Sequence, residues 1–318
     1  MSNSRDAEAA AFPVPAGLNA LLLALGGTAA LACLWSASHA ESWLAVVMAA
    51  IAFSFVNNTV FSLLHEATHG VLHGNRRAND WMGRLAAAFF PTSYSMQRAF
   101  HLTHHKHNRS EFEQFDYLRP GDNRFLKYAQ WYSILTGVYW VFPPLFCIVY
   151  SLAPATFRAR WLASTETTVG HQTGSAVYLS SLRNVPVSTM RLEVLSVAVF
   201  QAGAFWLLDL SIAGWALCYA AFAVNWSALQ YADHAWSPLD RKEGAWNLRV
   251  NSLTKKLFLN YHDHLAHHQH PKVPWLYLPR LVDRSRPRPS FLAIYLSMWR
   301  GPRPIDEAES VAAVATRG

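Results

Sequence analysis

Two pairs of long apolar runs constrain this chain most, because a stretch of about 20 apolar residues is what a helix needs to cross a bilayer. Residues 17–35 form one run, and residues 43–64 form a second that leads straight into His65. The polar segment SASHAES between them is flanked by Trp35 and Trp43, an aromatic pair suited to the headgroup boundary. A further pair, 193–208 and 212–230, turns around Leu208, Asp209 and Leu210. Each pair reads as a transmembrane helical hairpin. Composition agrees: 52% of the 318 residues are hydrophobic, 13 are Trp, and only 15% are charged, well below the load of a soluble domain.

Histidine spacing carries the chemistry. Thirteen of the 15 histidines fall within 65–107, at 234, or within 262–270. His65 and His69 form one group; His101, His104 and His105 form a second; His264, His267 and His268 form a third, and both triplets read HxxHH. On a helix, positions i, i+3 and i+4 share a face, so each triplet aims three imidazoles at one point. His234, at the end of the last apolar run, supplies a ninth ring. Neutral imidazole suits iron, and nine rings are too many for one ion of ordinary coordination number, so two metals are implied.

For the groups to meet, the chain must cross the membrane an even number of times between His105 and His264. One further apolar stretch, 128–153, is interrupted by Pro143 and Pro144, either of which would break an ordinary helix, and it therefore reads as re-entrant or interfacial. Basic residues set the orientation, since Lys and Arg in short loops mark the cytoplasmic side. Arg76, Arg77, Arg84, Arg98, Lys106 and Arg109 surround the first two groups, Arg158, Arg160, Arg183 and Arg191 follow, and neither outer turn carries any. The expectation is an all-α, four-span integral membrane protein with both termini and a histidine-rich cap on the cytoplasmic side, placed in a bacterial inner membrane. Its parts are a tail at 1–16, a first hairpin at 17–64, and a cytoplasmic segment at 65–127. A re-entrant segment and loop follow at 128–192, then a second hairpin at 193–230 and a cytoplasmic segment with a basic tail at 231–318, all in one domain. The run before Ala40 is too long, and its leader too acidic at Asp6 and Glu8 beside Arg5, for a secretory signal, so it reads as a retained span.

A net charge of +7 needs no nucleic acid, because the arginines flank the membrane segments and fill the tail from Arg280 to Arg303, where anionic headgroups are the simpler partner. FLAIYLSMW at 291–299 reads as an amphipathic piece on the bilayer surface, and an acidic redox protein is a weaker candidate for the same region. Cys33, Cys147 and Cys218 lie in apolar runs with no CxxC pair, which indicates neither disulfides nor an iron-sulfur site. No repeat, low-complexity tract or fused electron-carrier module is apparent.

HEATH at 65–69, HLTHH at 101–105 and HLAHH at 264–268, in this order and with hairpins between, resemble the three histidine boxes of the membrane-bound fatty acid desaturase superfamily, which also includes hydroxylases and carotenoid ketolases. The resemblance covers roughly residues 40–280. It implies that His65, His69, His101, His104, His105, His234, His264, His267 and His268 ligate two iron ions, with dioxygen as co-substrate. It also implies two electrons from an external donor, a ferredoxin, a rubredoxin or a b-type cytochrome with its reductase, and a lipid or fatty acyl substrate. In such proteins an amide four residues before the extra histidine holds a metal-bound water, a relation that Gln230 bears to His234. Desaturation is the expected reaction, with hydroxylation, ketolation or oxidative decarboxylation as alternatives. The short first box leans towards acyl-lipid or free-acid substrates.

Several neighbours read as supports rather than ligands. His73 continues the face of His65 and His69, and His262 lies two residues from His264; each is a possible ligand but better suited to hydrogen bonding nearby, as are His107 and His270. His39 and His171 read as solvated loop residues, and Asn260 as fixing a turn. Asp116, Asp233 and Asp263 are candidates to receive ring N–H bonds. A rival arises because His65 to His69 also satisfies HExxH, the zinc protease motif in which Glu66 would activate water. That motif accounts for two histidines and leaves seven unexplained. A metal carrier would want ionisable groups in mid-membrane, and the spans have essentially none. Glu66→Gln separates the readings: hydrolysis by a protease would stop outright, whereas oxidation of lipid, followed by product analysis, is expected to persist at an altered rate.

Overall fold

The computed structural model describes residues 11–156 and 174–305. The leader residues Arg5, Asp6 and Glu8, and Arg158, Arg160 and His171, lie outside them. In chain order the helices are α1 (Ala16–His39), α2 (Trp43–His69), α3 (Arg76–Phe89), α4 (Tyr94–His107), α5 (Arg124–Leu135), α6 (Phe142–Leu152), α7 (Gly174–Ser181), α8 (Val187–Leu208), α9 (Ile212–Ala232), α10 (Ser252–Leu257), α11 (His264–Gln269), α12 (Leu278–Leu281) and α13 (Phe291–Met298). The two-residue strands β1 (Tyr117–Leu118) and β2 (Arg303–Pro304) pair in parallel. Among the described residues four helices, α1, α2, α8 and α9, are long and apolar enough to span a membrane.

Polar residues set the helix boundaries. Ser42 accepts the Ala45 N–H to start α2, and Gly70, at φ 75°, stops it just after His69. Asn75, Ser93 and Ser211 cap α3, α4 and α9 in the same manner. Asp209 ends α8 in the left-handed region, where an Asx side chain is tolerated. Between the spans the core is made by Phe53, Phe61, Phe90, Phe222 and Trp226, which meet edge to face or tilted. Leu192, Leu195, Val199, Trp206 and Leu207 of α8 remain exposed, as residues facing lipid do.

The apolar stretch 128–153 is broken, but not at its prolines. Pro143 and Pro144 sit in the first turn of α6, where a missing N–H costs nothing. The chain instead bends by 89° between Arg124–Leu135 and Val138–Leu152, with Gly137 at φ 81° in the corner. A Cβ on Gly137 would lie 2.6 Å from the Val224 backbone nitrogen of α9, so only glycine lets the corner dock there.

Two buried charges tie the loops to the spans. Glu193, near the start of α8, accepts bonds from Arg84 Nε (2.9 Å), Ser93 Oγ (2.6 Å), Ser95 N (2.9 Å) and Ser95 Oγ (2.8 Å), which pins the N-terminus of α4. Arg109, just beyond α4, makes a bidentate pair with Asp116 at 3.0 and 2.9 Å and also donates to Ser237 O, so the loop after box two clasps the chain after α9. Asp116 is therefore committed to a guanidinium, and to the Tyr231 hydroxyl, rather than to an imidazole.

The segment before box three does not simply hang in the cap. Thr59 Oγ1 and Ser62 Oγ of α2 donate to Leu257 O and Phe258 O at 2.6 and 3.1 Å, which sets the end of α10 beside α2, one to two turns before His65. Helix α13 turns Met298 inward, where its carbonyl accepts the Trp131 indole N–H, and leaves Leu292, Leu296 and Trp299 exposed along the other face. Gly137→Ala tests the corner: it should lower the thermal unfolding midpoint by the equivalent of about 1–3 kcal/mol in detergent, and an unchanged midpoint would mean that the corner does not dock on α9.

Candidate metal centre

Four separate pieces of chain deliver the histidines to one end of the spans. His65 and His69 lie on the last turns of α2, His101, His104 and His105 on α4, His234 just past α9, and His264, His267 and His268 on the six-residue α11. They sort into two groups. His65, His69, His101, His105 and His267 form one; His104, His234, His264 and His268 form the other, with one ring nitrogen from each residue within 4.8 Å of those of its group. The triplets are therefore split between groups: His104 separates from His101 and His105, and His267 from His264 and His268.

Within the first group Nε2 atoms lie 2.7 Å apart for His69 and His101, 3.1 Å for His101 and His105, and 3.0 Å for His105 and His267. In the second group the Nε2 of His264 lies 3.1 Å from that of His234 and 3.2 Å from that of His268. These are not all hydrogen bonds. His234 Nδ1 donates to Gly244 O at 2.9 Å and His104 Nδ1 to Glu113 Oε2 at 2.8 Å, which leaves their Nε2 atoms as bare lone pairs. Lone pairs facing one another repel unless a cation lies between them. For an ion bonded at about 2.1 Å with ligands at right angles, adjacent nitrogens are about 3.0 Å apart, which matches these edges. The Nε2 of His65 is likewise buried with no hydrogen-bond partner. Each group thus fits one metal ion.

Electrostatics keep the rings ready. His101, His105, His234, His264, His267 and His268 are held well below the ordinary imidazole range, first by burial and then by neighbouring rings and other cations that resist a further positive charge. They are neutral, the form in which imidazole ligates. Asp233 is fully buried beside this array, with Oδ2 3.4 Å from His264 Nδ1 and Oδ1 3.8 Å from His234 Nε2, and burial pushes its carboxyl well up.

The flanking candidates separate cleanly. His73 lies outside both groups, and its Nδ1 accepts the Asn75 N–H at 2.9 Å. His262 also lies outside both; its ring stacks on Phe258 and meets Phe291 edge on, and burial, then Lys255, pushes it down to about 3. Asp263 faces Lys255 at 2.8 Å and Arg288 at 3.3 Å, so it receives cations rather than ring N–H groups. Gln230 Oε1 accepts the Tyr261 hydroxyl at 3.1 Å, and its Nε2 is buried without a partner. Asn260, at φ 57°, does shape the turn into box three and donates to Trp275 O.

Sequence reasoning missed Glu113 and Gly244. Neither has a periodic signal, because Glu113 lies in a single 3-10 turn, Glu111–Glu113, and Gly244 in an irregular segment. Gly244 is required where it stands, since a Cβ would collide with Asp240 O and the Arg109 side chain. Glu66 Oε2 accepts the Trp275 N–H at 2.9 Å, and its Oε1 lies 3.9 Å from His65 Nδ1. A small cavity with room for about one water-sized molecule lies between Ser62, His65, Glu66, Tyr261, His264 and Trp275, so it touches both histidine groups.

A family model described as fatty acid desaturase matches residues 41–301. Zeaxanthin 4-ketolase of Chlamydomonas reinhardtii is 30% identical over 93 residues, which is 29% of this chain and 21% of that protein. The chain therefore aligns with about a fifth of that relative's length. With the match spanning all three histidine groups and all but the first apolar helix, the chain belongs to the fatty acid desaturase family.

Proposed function

We propose that this protein is a membrane-bound di-iron oxidoreductase that uses dioxygen and two externally supplied electrons to desaturate a fatty acyl chain or a related lipid. The observation that carries this is the pair of converging imidazole groups, five rings and four, at the end of a bundle of apolar helices. His65, His69, His101, His105 and His267 would hold one iron, and His104, His234, His264 and His268 the other. When bound, the irons supply dioxygen activation and an oxidant strong enough to remove hydrogen from an unactivated methylene. Imidazole is a suitable donor for iron, and zinc alone would offer no redox chemistry.

The chain's own residues do the rest. Ring Nδ1 atoms tied to Glu113 and Gly244 O hold His104 and His234 in one tautomer, with Nε2 facing inward. Ser62, Tyr261 and Trp275 wall the space touching both groups, so a reacting carbon brought there is shielded from bulk water. Because α2 runs directly from the apolar run into His65, an acyl chain reaches this end of the bundle without leaving an apolar medium. The basic residues around the boxes favour a site and both termini on the cytoplasmic side; we read the membrane as a bacterial inner membrane, where a ferredoxin, rubredoxin or b-type cytochrome would deliver electrons.

A second reading has one observation in its favour. The similarity to a zeaxanthin ketolase favours insertion of oxygen into a ring or chain over formation of an alkene. Mass spectrometry of lipids from cells expressing the protein, with and without oxygen, decides between them. A new double bond that requires oxygen is expected; a new hydroxyl or keto group would overturn desaturation in favour of the second reading. His104→Ala and His267→Ala should each abolish the product and lower the bound iron of the purified protein, and full turnover with either ring absent would contradict the assignment.

A further inference from the structure

The two histidine groups differ in what stands behind them, and we propose that the four-ring group is an anion-backed site that takes up metal before the five-ring group. This rests on the di-metal reading above. Behind the four rings stand two buried carboxylates. His104 Nδ1 donates to Glu113 Oε2 at 2.8 Å, and His264 Nδ1 faces Asp233 Oδ2 at 3.4 Å. Glu113 is itself held, by the Tyr178 hydroxyl on Oε1 and by the Tyr231 hydroxyl on its carbonyl at 3.1 Å. Behind the five rings, among the described residues, Glu66 is the one carboxylate within ion-pair distance of a ring, at 3.9 Å from His65 Nδ1, and its other oxygen is taken by the Trp275 N–H.

Asp233 makes the difference sharper. It is wholly buried, and neither carboxylate oxygen has a hydrogen-bond partner. Buried carboxylates are ordinarily paired or hydrogen-bonded, and each exception asks for an explanation. The cations of the neighbourhood are committed elsewhere: Arg109 to Asp116, and Lys255 and Arg288 to Asp263. A metal ion held by His264 and His234 would supply the positive charge that this neighbourhood lacks and so favour the anionic form of Asp233 that burial alone opposes. A carboxylate behind an imidazole also makes the ring a stronger donor and fixes its orientation. The five-ring group has one more imidazole, but fewer carboxylates stand behind it among the described residues. Attraction between opposite charges falls only with the inverse of distance and is weakly screened at a largely buried site, so two carboxylates behind the four rings, against Glu66 alone behind the five among the described residues, outweigh one extra neutral nitrogen. Glu113 and Asp233 are thus positioning residues that act on metal through His104 and His264.

The test uses the full chain, purified in detergent, stripped of metal and titrated anaerobically with ⁵⁷Fe(II) under Mössbauer spectroscopy. In wild type the first equivalent should give one ferrous doublet, and the second equivalent should add another. Glu113→Gln and Asp233→Asn should each weaken the first-filled site by roughly 10- to 100-fold, so that the first equivalent moves to the other doublet while affinity for that other site stays unchanged. Circular dichroism and the thermal midpoint of the metal-free proteins report folding, and because the two substitutions lie on separate segments, one reports if the other does not fold. A first equivalent divided evenly between two doublets, or a wild-type filling order in both folded variants, would overturn the proposal. Wild type that binds no iron would instead overturn the di-iron reading on which it rests.

Discussion

Everything in this molecule answers to one electrostatic constraint: imidazole nitrogens brought to 2.7–3.2 Å of one another with their lone pairs turned inward. Without a cation that arrangement is repulsive, and burial with the neighbouring rings resists relief by protonation at His101, His105, His234, His264, His267 and His268. A fold that nevertheless assembles it must hold four separate pieces of chain rigidly. Helix α2 is stopped by Gly70 directly after His69, Glu193 pins the start of α4, and Arg109 clasps the end of α9 to the loop after box two. Each device acts on a backbone that carries a ring, not on the ring itself.

The size of these supports explains why buried charges are present in a protein otherwise poor in them. Breaking a buried ion pair by removing one partner costs about 3–5 kcal/mol, because a charge is left without compensation. Arg109 with Asp116 is of this kind, whereas Glu193 is a buried carboxylate held by the hydroxyls of Ser93 and Ser95 and by a partly exposed Arg84. Between the spans themselves, lipid is as apolar as a leucine side chain, so packing and specific polar contacts must do what water does for a soluble core. Gly137 against Val224, Gln201 bonded by the Trp215 indole, and Asn225 bonding Ser54 supply such contacts.

Much of this was legible in the sequence because helical periodicity links residues three and four apart. HxxHH at 101–105 and 264–268 predicts shared faces, and both triplets do lie on helices. Periodicity is silent on how faces are divided once helices pack, so the splitting of His104 from its neighbours, and of His267 from His264, appears only in three dimensions. The sequence points to Pro143 and Pro144 for the break in the stretch 128–153, whereas the bend occurs at Gly137, since proline in a first helical turn is harmless and glycine alone fits the close approach to α9. Asp116 and Asp263 illustrate the same limit: a carboxylate near a box in sequence pairs with whichever cation the fold delivers. Glu113 lies in a three-residue 3-10 turn, too short to carry a periodic pattern.

The central claim is that two redox-active ions sit between these rings. Iron and zinc analysis of full-length protein purified without chelator, paired with Mössbauer spectra of the same ⁵⁷Fe-grown sample, addresses it most directly. Two irons per chain with the signature of a magnetically coupled pair are predicted. A single bound zinc, with no coupled centre after reconstitution with iron, would contradict the account.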